Sequence, residues 1–294
     1  MATALFSLDG VAQWIDSTVT ETLERTIAPM VAHATAEIWP FVTAAMTISL
    51  MWYGWLIASG AIQTPVLTAL KRVVNIVIIV SIVGAGGLYQ TEIVGALLKL
   101  PAELTSALSE KATDPATMFD KTASEGVTIG TKVTARAPNS LTSPVQAMAF
   151  VIVAHVIALI SAAVSAIGLI LLVVVKSGMG MLAILGPLCL LALLSDYTKG
   201  YFDKWVSQVL YYGLYAAIFT TIFGIIVAMF GTLQKALLAT SESTGEINLF
   251  SMLAAVIIFL ITALFMISQA KAIAESIAGS RGGGLRIPFL GEVG

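Results

Sequence analysis

His155 is the one readily ionisable side chain inside the long apolar runs of this chain, which makes it the first candidate for chemistry. An imidazole in lipid is costly and tends to be kept for a proton relay or a partner group. The structural alternative is a histidine hydrogen-bonded to a neighbouring helix. His33 falls near an interface, where it is solvated. Lys199 and Lys204 stand among Tyr197, Tyr201, Trp205 and Tyr212, a basic and aromatic mix that could follow a nucleic-acid backbone and stack on bases. Asp196 and Asp203 cancel that charge, and phosphate contacts need a net positive patch. Gly84, Gly86 and Gly87 fit close helix approach better than a phosphate loop. No Walker A, HExxH or GxSxG pattern occurs, and no nucleophile stands with a base. A single cysteine, Cys189, excludes an intrachain disulfide and a cysteine-rich metal site. The expectation is a chain with no catalytic residue, no cofactor and no metal.

The composition explains that scarcity. The chain is 58% hydrophobic and 11% charged, with mean hydropathy +0.95 and net charge -2. An ordinary soluble domain has roughly a quarter of its residues charged, so this is an integral membrane protein. Transport coupled to protons or sodium would place carboxylates within the spans, and none falls there. A small-solute permease remains the alternative reading, but it predicts internal repeats and a polar midplane site, neither of which is present. The N-terminus, MATALFSLDG, lacks the basic start and apolar core of a signal peptide, so the first apolar segment is expected to be an uncleaved anchor.

Six charge-free runs are long enough to approach a bilayer crossing: 38 to 70, 73 to 91, 137 to 175, 177 to 195, 205 to 234 and 247 to 270. Ahead of them, Val11, Ile15, Val19, Leu23 and Ile27 recur every four residues, so 1–38 reads as an extracytoplasmic amphipathic helix that Pro29 bends or ends. Residues 39–90 read as two spans joined by a turn at Pro65. Lys71 and Arg72 follow that turn and set the orientation, because short basic loops stay cytoplasmic. Residues 91–145 read as a large extracytoplasmic loop, in which Ile93, Val94, Leu97, Leu98, Leu104 and Leu108 suggest an interrupted amphipathic helix around Pro101 and the stretch from Thr122 to Ser143 is small, polar and mobile. Residues 146–270 carry three more spans, the first of them with a close-packing face of Ala154, Ala158, Ser161, Ala162 and Ser165. Lys176 marks the inner boundary of that span. Run 177–195, with Gly178, Gly180 and Gly186-Pro187, is expected to be broken or re-entrant rather than crossing, ahead of an inner turn at 196–204. Residues 271–294, with Lys271, Arg281 and Arg286, form a flexible cytoplasmic tail. The predicted fold class is therefore an all-α integral membrane protein with about five transmembrane helices and one broken apolar segment, N-terminus outside and C-terminus inside.

The stretch from Gly186 to Tyr215, GPLCLLALLSDYTKGYFDKWVSQVLYYGLY, organises the rest. Its order of Gly186-Pro187, apolar run, charged turn, Tyr201-Phe202-x-x-Trp205, Gln208 and a Tyr-rich apolar helix resembles the TrbL-like polytopic inner-membrane subunit of type IV secretion and conjugation machines. Leu88-Tyr89-Gln90-Thr91 is similar to that family too, as is the layout of nearly the whole chain. The resemblance implies a non-enzymatic channel or assembly platform in the bacterial inner membrane, supporting pilus assembly and translocation of DNA or protein. It implies self-association into a homo-oligomer, of which a pentamer is one form. The partners it implies are a minor and a major pilin, other inner-membrane secretion subunits, separate secretion ATPases, a transient DNA or protein substrate and the lipid bilayer. It makes Gly186, Pro187, Tyr201, Trp205 and Tyr212 the structural and assembly candidates, and the loop 91–145 a surface for substrate or pilus subunits.

Overall fold

The computed structural model describes residues 10–60, 65–84, 87–108, 114–135, 137, 144–195, 197–243 and 249–278. Expectations for the turn at 61–64, for Asp196 and for Arg281, Arg286 and the glycines of the tail lie outside the described residues. Among the described residues seven α-helices follow in order: α1 (Val11–Ala58), α2 (Pro65–Val83), α3 (Val94–Leu108), α4 (Pro115–Ala135), α5 (Pro144–Leu191), α6 (Lys199–Ser243) and α7 (Leu249–Ala278). A π-helical turn, Tyr89–Ile93, leads into α3, and a 3-10 turn, Ala192–Leu194, closes α5. Among the described residues there is no strand, and four helical stretches are long and apolar enough to cross a membrane: Val11–Ala58, Pro144–Leu194, Lys199–Leu233 and Leu253–Ala278. Val73–Val83 adds a shorter apolar helix. The chain is an all-α membrane protein.

α5 is the axis. Its 48 residues extend about 72 Å at the α-helical rise, more than twice the ~30 Å bilayer core. Two cores are strung along it. One gathers Phe119, Ile129, Ile157, Val164, Leu171, Tyr215, Phe219, Phe223 and Val256 from α4, α5, α6 and α7. The other gathers Ile27, Val31, Tyr89, Val94, Met179, Ala183 and Val209 from α1, the π turn, α3, α5 and α6.

Four expectations are corrected. α5 runs unbroken through Gly178, Gly180 and Gly186-Pro187 to Leu191, so 177–195 continues the preceding helix as far as its closing 3-10 turn. The reason is that other helices supply what the proline removes, as shown below. α1 likewise continues through Pro29 and Pro40, joining the N-terminal arm and the first span in one helix. Part of the segment expected to be a mobile loop is helical: α4 occupies 115–135, while the amphipathic helix expected around Pro101 is α3, which runs through that proline without interruption. Finally, Lys176 is no boundary marker, because its Nζ lies 2.5 Å from Asp16 Oδ1 and 2.8 Å from Thr20 Oγ1 of α1. A charge neutralised in this way can sit between two apolar runs without ending either. The arm expected outside and the lysine expected inside therefore share one level of the molecule. Two boundaries also shift: Lys71 and Arg72 fall within α2, and α7 keeps 271–278 helical.

The small-residue face of α5 is packed as expected. Ala154, Ser161 and Ser165 are buried against α4, where Gly130 and Gly126 meet Ala154 and Ser161, and the Ser165 hydroxyl donates to the Phe119 carbonyl at 2.8 Å.

Candidate functional site

Pro187 lacks an N–H, so the carbonyl of Ala183, one turn earlier, has no partner within α5. Such a group in an apolar interior costs about 1–3 kcal/mol if left unpaired. The Tyr89 hydroxyl fills the gap, donating to the Ala183 oxygen at 2.6 Å from a fully buried ring. Gly186 makes this possible. A Cβ built there would overlap the Tyr89 oxygen and its ring, so only a bare backbone lets the phenol approach. The two residues of the Gly-Pro pair thus have separate tasks, one opening the space and the other releasing the acceptor. Tyr89 itself is aimed by the π turn Tyr89–Ile93, a wider coil that offsets the side chain from ordinary helical register.

Two further contacts complete the arrangement. Trp205, near the start of α6, donates its indole N–H to the Leu182 carbonyl at 2.8 Å. Tyr212 lies over Gly178, where an added Cβ would come 2.5 Å from its ring, and Ile27 of α1 lies over Gly180 at 2.6 Å by the same measure. The glycines of α5 are therefore sockets for side chains from α1, the π turn and α6. This is how a helix carrying glycine and proline at membrane depth keeps its backbone satisfied.

Of the candidates from sequence, Gly186, Pro187, Trp205 and Tyr212 meet around this stretch of α5. Tyr201 does not. It is 65% exposed, with Lys204 Nζ 6.0 Å from its ring centroid, and Tyr197 beside it is 99% exposed. Those two rings face outward, while Trp205 and Tyr212 turn inward. Lys71 and Arg72 belong to α2. Tyr89 was visible in sequence only as part of Leu88-Tyr89-Gln90-Thr91, since nothing local foretells a bond across 94 residues.

A second junction, also missed by sequence reasoning, fixes the start of α1. Gly10 precedes that helix with φ 93° and no side chain to cap it. Asp120 of α4, buried, acts instead: its two carboxylate oxygens accept the N–H groups of Ala12 at 2.8 Å and Gln13 at 3.1 Å. The positive end of the helix dipole favours the carboxylate there. Asp120→Ala strands two donors, and is expected to destabilise the protein by about 1–3 kcal/mol while Asp120→Asn costs less. Hydrogen exchange at Ala12 and Gln13 checks this, and unchanged protection in the alanine variant would refute the cap.

His155 departs from the expectation of a bond to a neighbouring helix: its Nδ1 lies 2.7 Å from the Val151 carbonyl of its own helix, and the ring is exposed. Among the described residues no three His, Cys, Asp or Glu side chains gather to hold a metal ion.

The fold and its junctions define a polytopic helical membrane protein in which helix-to-helix fastening is the dominant chemistry. The chain belongs to the TrbL/VirB6 plasmid conjugal transfer protein family, which it matches over residues 46–269. A direct comparison with curated proteins finds no match. Membership makes the chain a component of a multi-subunit conjugal transfer or type IV secretion system, in a family of structural rather than enzymatic parts.

Proposed function

We propose that this chain is an inner-membrane platform and channel subunit of a type IV secretion machine. It self-associates, supports pilus assembly with minor and major pilins, and assists passage of DNA or protein that separate ATPases energise. The family match over residues 46–269 carries this reading. It gains support from α5, whose ~72 Å length and interlocked glycine sockets suit a rigid frame on which other subunits assemble. In this reading Gly186, Pro187, Trp205 and Tyr212 maintain the frame, and Tyr201 remains available at the surface.

The test is a donor cell whose conjugative plasmid lacks this gene. Transfer and pili should both be lost, and both should return with the wild-type gene supplied separately. Undiminished transfer in the deleted strain would end the proposal, while lost transfer with normal pili would remove the assembly role.

A further inference from the structure

At the C-terminal end of α5 a cavity of about 450 Å³ lies between three helices, with Val42 and Met46 of α1, Ile76 of α2, and Leu188 and Leu191 of α5 among its walls. That volume is within the range of about 300–1,000 Å³ usual for sites that hold a small molecule. The walls come from three stretches without Asp, Glu, Lys or Arg: 38–70, 73–91 and 177–195. The cavity opens outward, since Phe41, which lines it, is 76% exposed. Beside it on the same helices Ile48, Met51 and Trp52 of α1 and Val77 and Ile78 of α2 are exposed as well. Apolar surface on this scale belongs in lipid.

The chemistry changes where α5 gives way to α6. Ser195 and Thr198 line the cavity there, and the Thr198 hydroxyl secures the corner by donating to the Ala192 carbonyl at 2.7 Å. Lys199 follows, exposed, with the outward rings of Tyr197 and Tyr201 on either side in sequence. Aromatic rings and a lysine together mark the boundary between lipid and water. Residues 195–204 hold two lysines and two aspartates, so this rim carries both signs and no net charge. An apolar hollow that opens into lipid and ends at such a rim matches an amphiphile whose headgroup also carries both signs. Water gains little in an apolar cavity, and walls without a neighbour forfeit their dispersion contacts. An acyl chain of the bilayer supplies those contacts.

We infer that this cavity is a lipid site, which takes one acyl chain of a zwitterionic phospholipid and sets its headgroup at the 195–199 rim. The chain fills the space between α1, α2 and the end of α5, and so joins the α1–α2 pair to the rest of the molecule. The site stands apart from the transfer role, because nothing in its argument depends on what the machine carries.

The test uses the full chain in phosphatidylethanolamine liposomes that contain a trace of phosphatidylcholine with a photoactivatable diazirine near the end of one acyl chain. After irradiation, peptide mapping of the wild-type protein should find the label on the cavity walls, within 38–49 and 188–198. Ala45 also lines the cavity, and Ala45→Trp fills it, whereas Ala44→Trp adds the same bulk one residue away, at an exposed position outside the lining. Labelling of the walls should fall several-fold in the first variant and stay unchanged in the second. Ala45→Leu, a smaller filler, should give an intermediate loss and covers for a folding failure of the tryptophan variant. Label confined to outward residues such as Ile48 and Met51, or equal wall labelling in the Ala45→Trp and Ala44→Trp proteins, would overturn the site, because lipid would then only coat the surface. No label on either would overturn it too, by showing that protein or water covers this level. A phosphatidylglycerol probe with the same diazirine chain should label the walls several-fold less, and equal labelling would overturn the zwitterionic assignment.

Discussion

Gly186→Ala is expected to eject Tyr89 from its socket and to destabilise the protein by about 2–6 kcal/mol. Two contributions add. The new methyl overlaps the Tyr89 oxygen, and overpacking of this kind costs about 1–3 kcal/mol. The displaced hydroxyl then leaves the Ala183 carbonyl without its 2.6 Å donor, which costs a further 1–3 kcal/mol or so. Tyr89→Phe isolates the second contribution, since the ring stays and the donor goes. Tyr89→Ala removes the obstacle, so adding Gly186→Ala to it should cost under about 1 kcal/mol, with the shortfall from additivity measuring the contact. Unfolding of the detergent-solubilised protein by a denaturing surfactant, followed by tryptophan fluorescence, provides the four free energies. Strictly additive effects would show that Gly186 and Tyr89 do not touch. Trp205→Phe supplies a comparison, because it removes a hydrogen bond to the adjacent Leu182 carbonyl without filling any socket, and about 1 kcal/mol is expected.

What could be read from the sequence followed from local rules. Charge-free runs identified the apolar helices, and alanines and serines at helical spacing identified the face of α5 that α4 covers. Gly186-Pro187 was recognisable as unusual, but its meaning was inverted. A proline in an apolar run predicts a break when the helix is considered alone, and Tyr89 and Trp205 remove that need from other parts of the chain. Lys176 failed for the same reason, since its partner Asp16 is 160 residues away. α4 was hidden more deeply. Its small and polar residues carry little hydrophobic signal, and in isolation they resemble a mobile loop. The helix forms because Gly126 and Gly130 allow contact with α5 along its length, so tertiary packing supplies the order that intrinsic propensity does not.

Gly126→Val should therefore affect far more than one position. The added side chain meets Ser161 at its Cβ, which is fixed to the α5 backbone and cannot rotate away. α4 must then move outward as a unit, because Gly130 one turn on is already against the Ala154 carbonyl oxygen, 2.9 Å from where its own Cβ would stand. Movement of α4 stretches the Ser165 bond to the Phe119 carbonyl, the edge-on pair of Phe119 with Phe223, and the Asp120 cap on α1. Overpacking costs about 1–3 kcal/mol, a weakened aromatic pair about 0.5–1.5 and a lost cap about 1, so a total near 3–5 kcal/mol is expected. Thr128→Val, on the exposed side of the same helix, should stay within about 0.5 kcal/mol. Hydrogen exchange locates the effect: Gly126→Val should expose the amides of α4 and also those of Ala12 and Gln13, which touch Asp120 but lie more than a hundred residues from the substitution. Protection lost in α4 alone would mean that α1 starts without help from Asp120, and equal protection in both variants would mean that α4 is not seated on α5 at all.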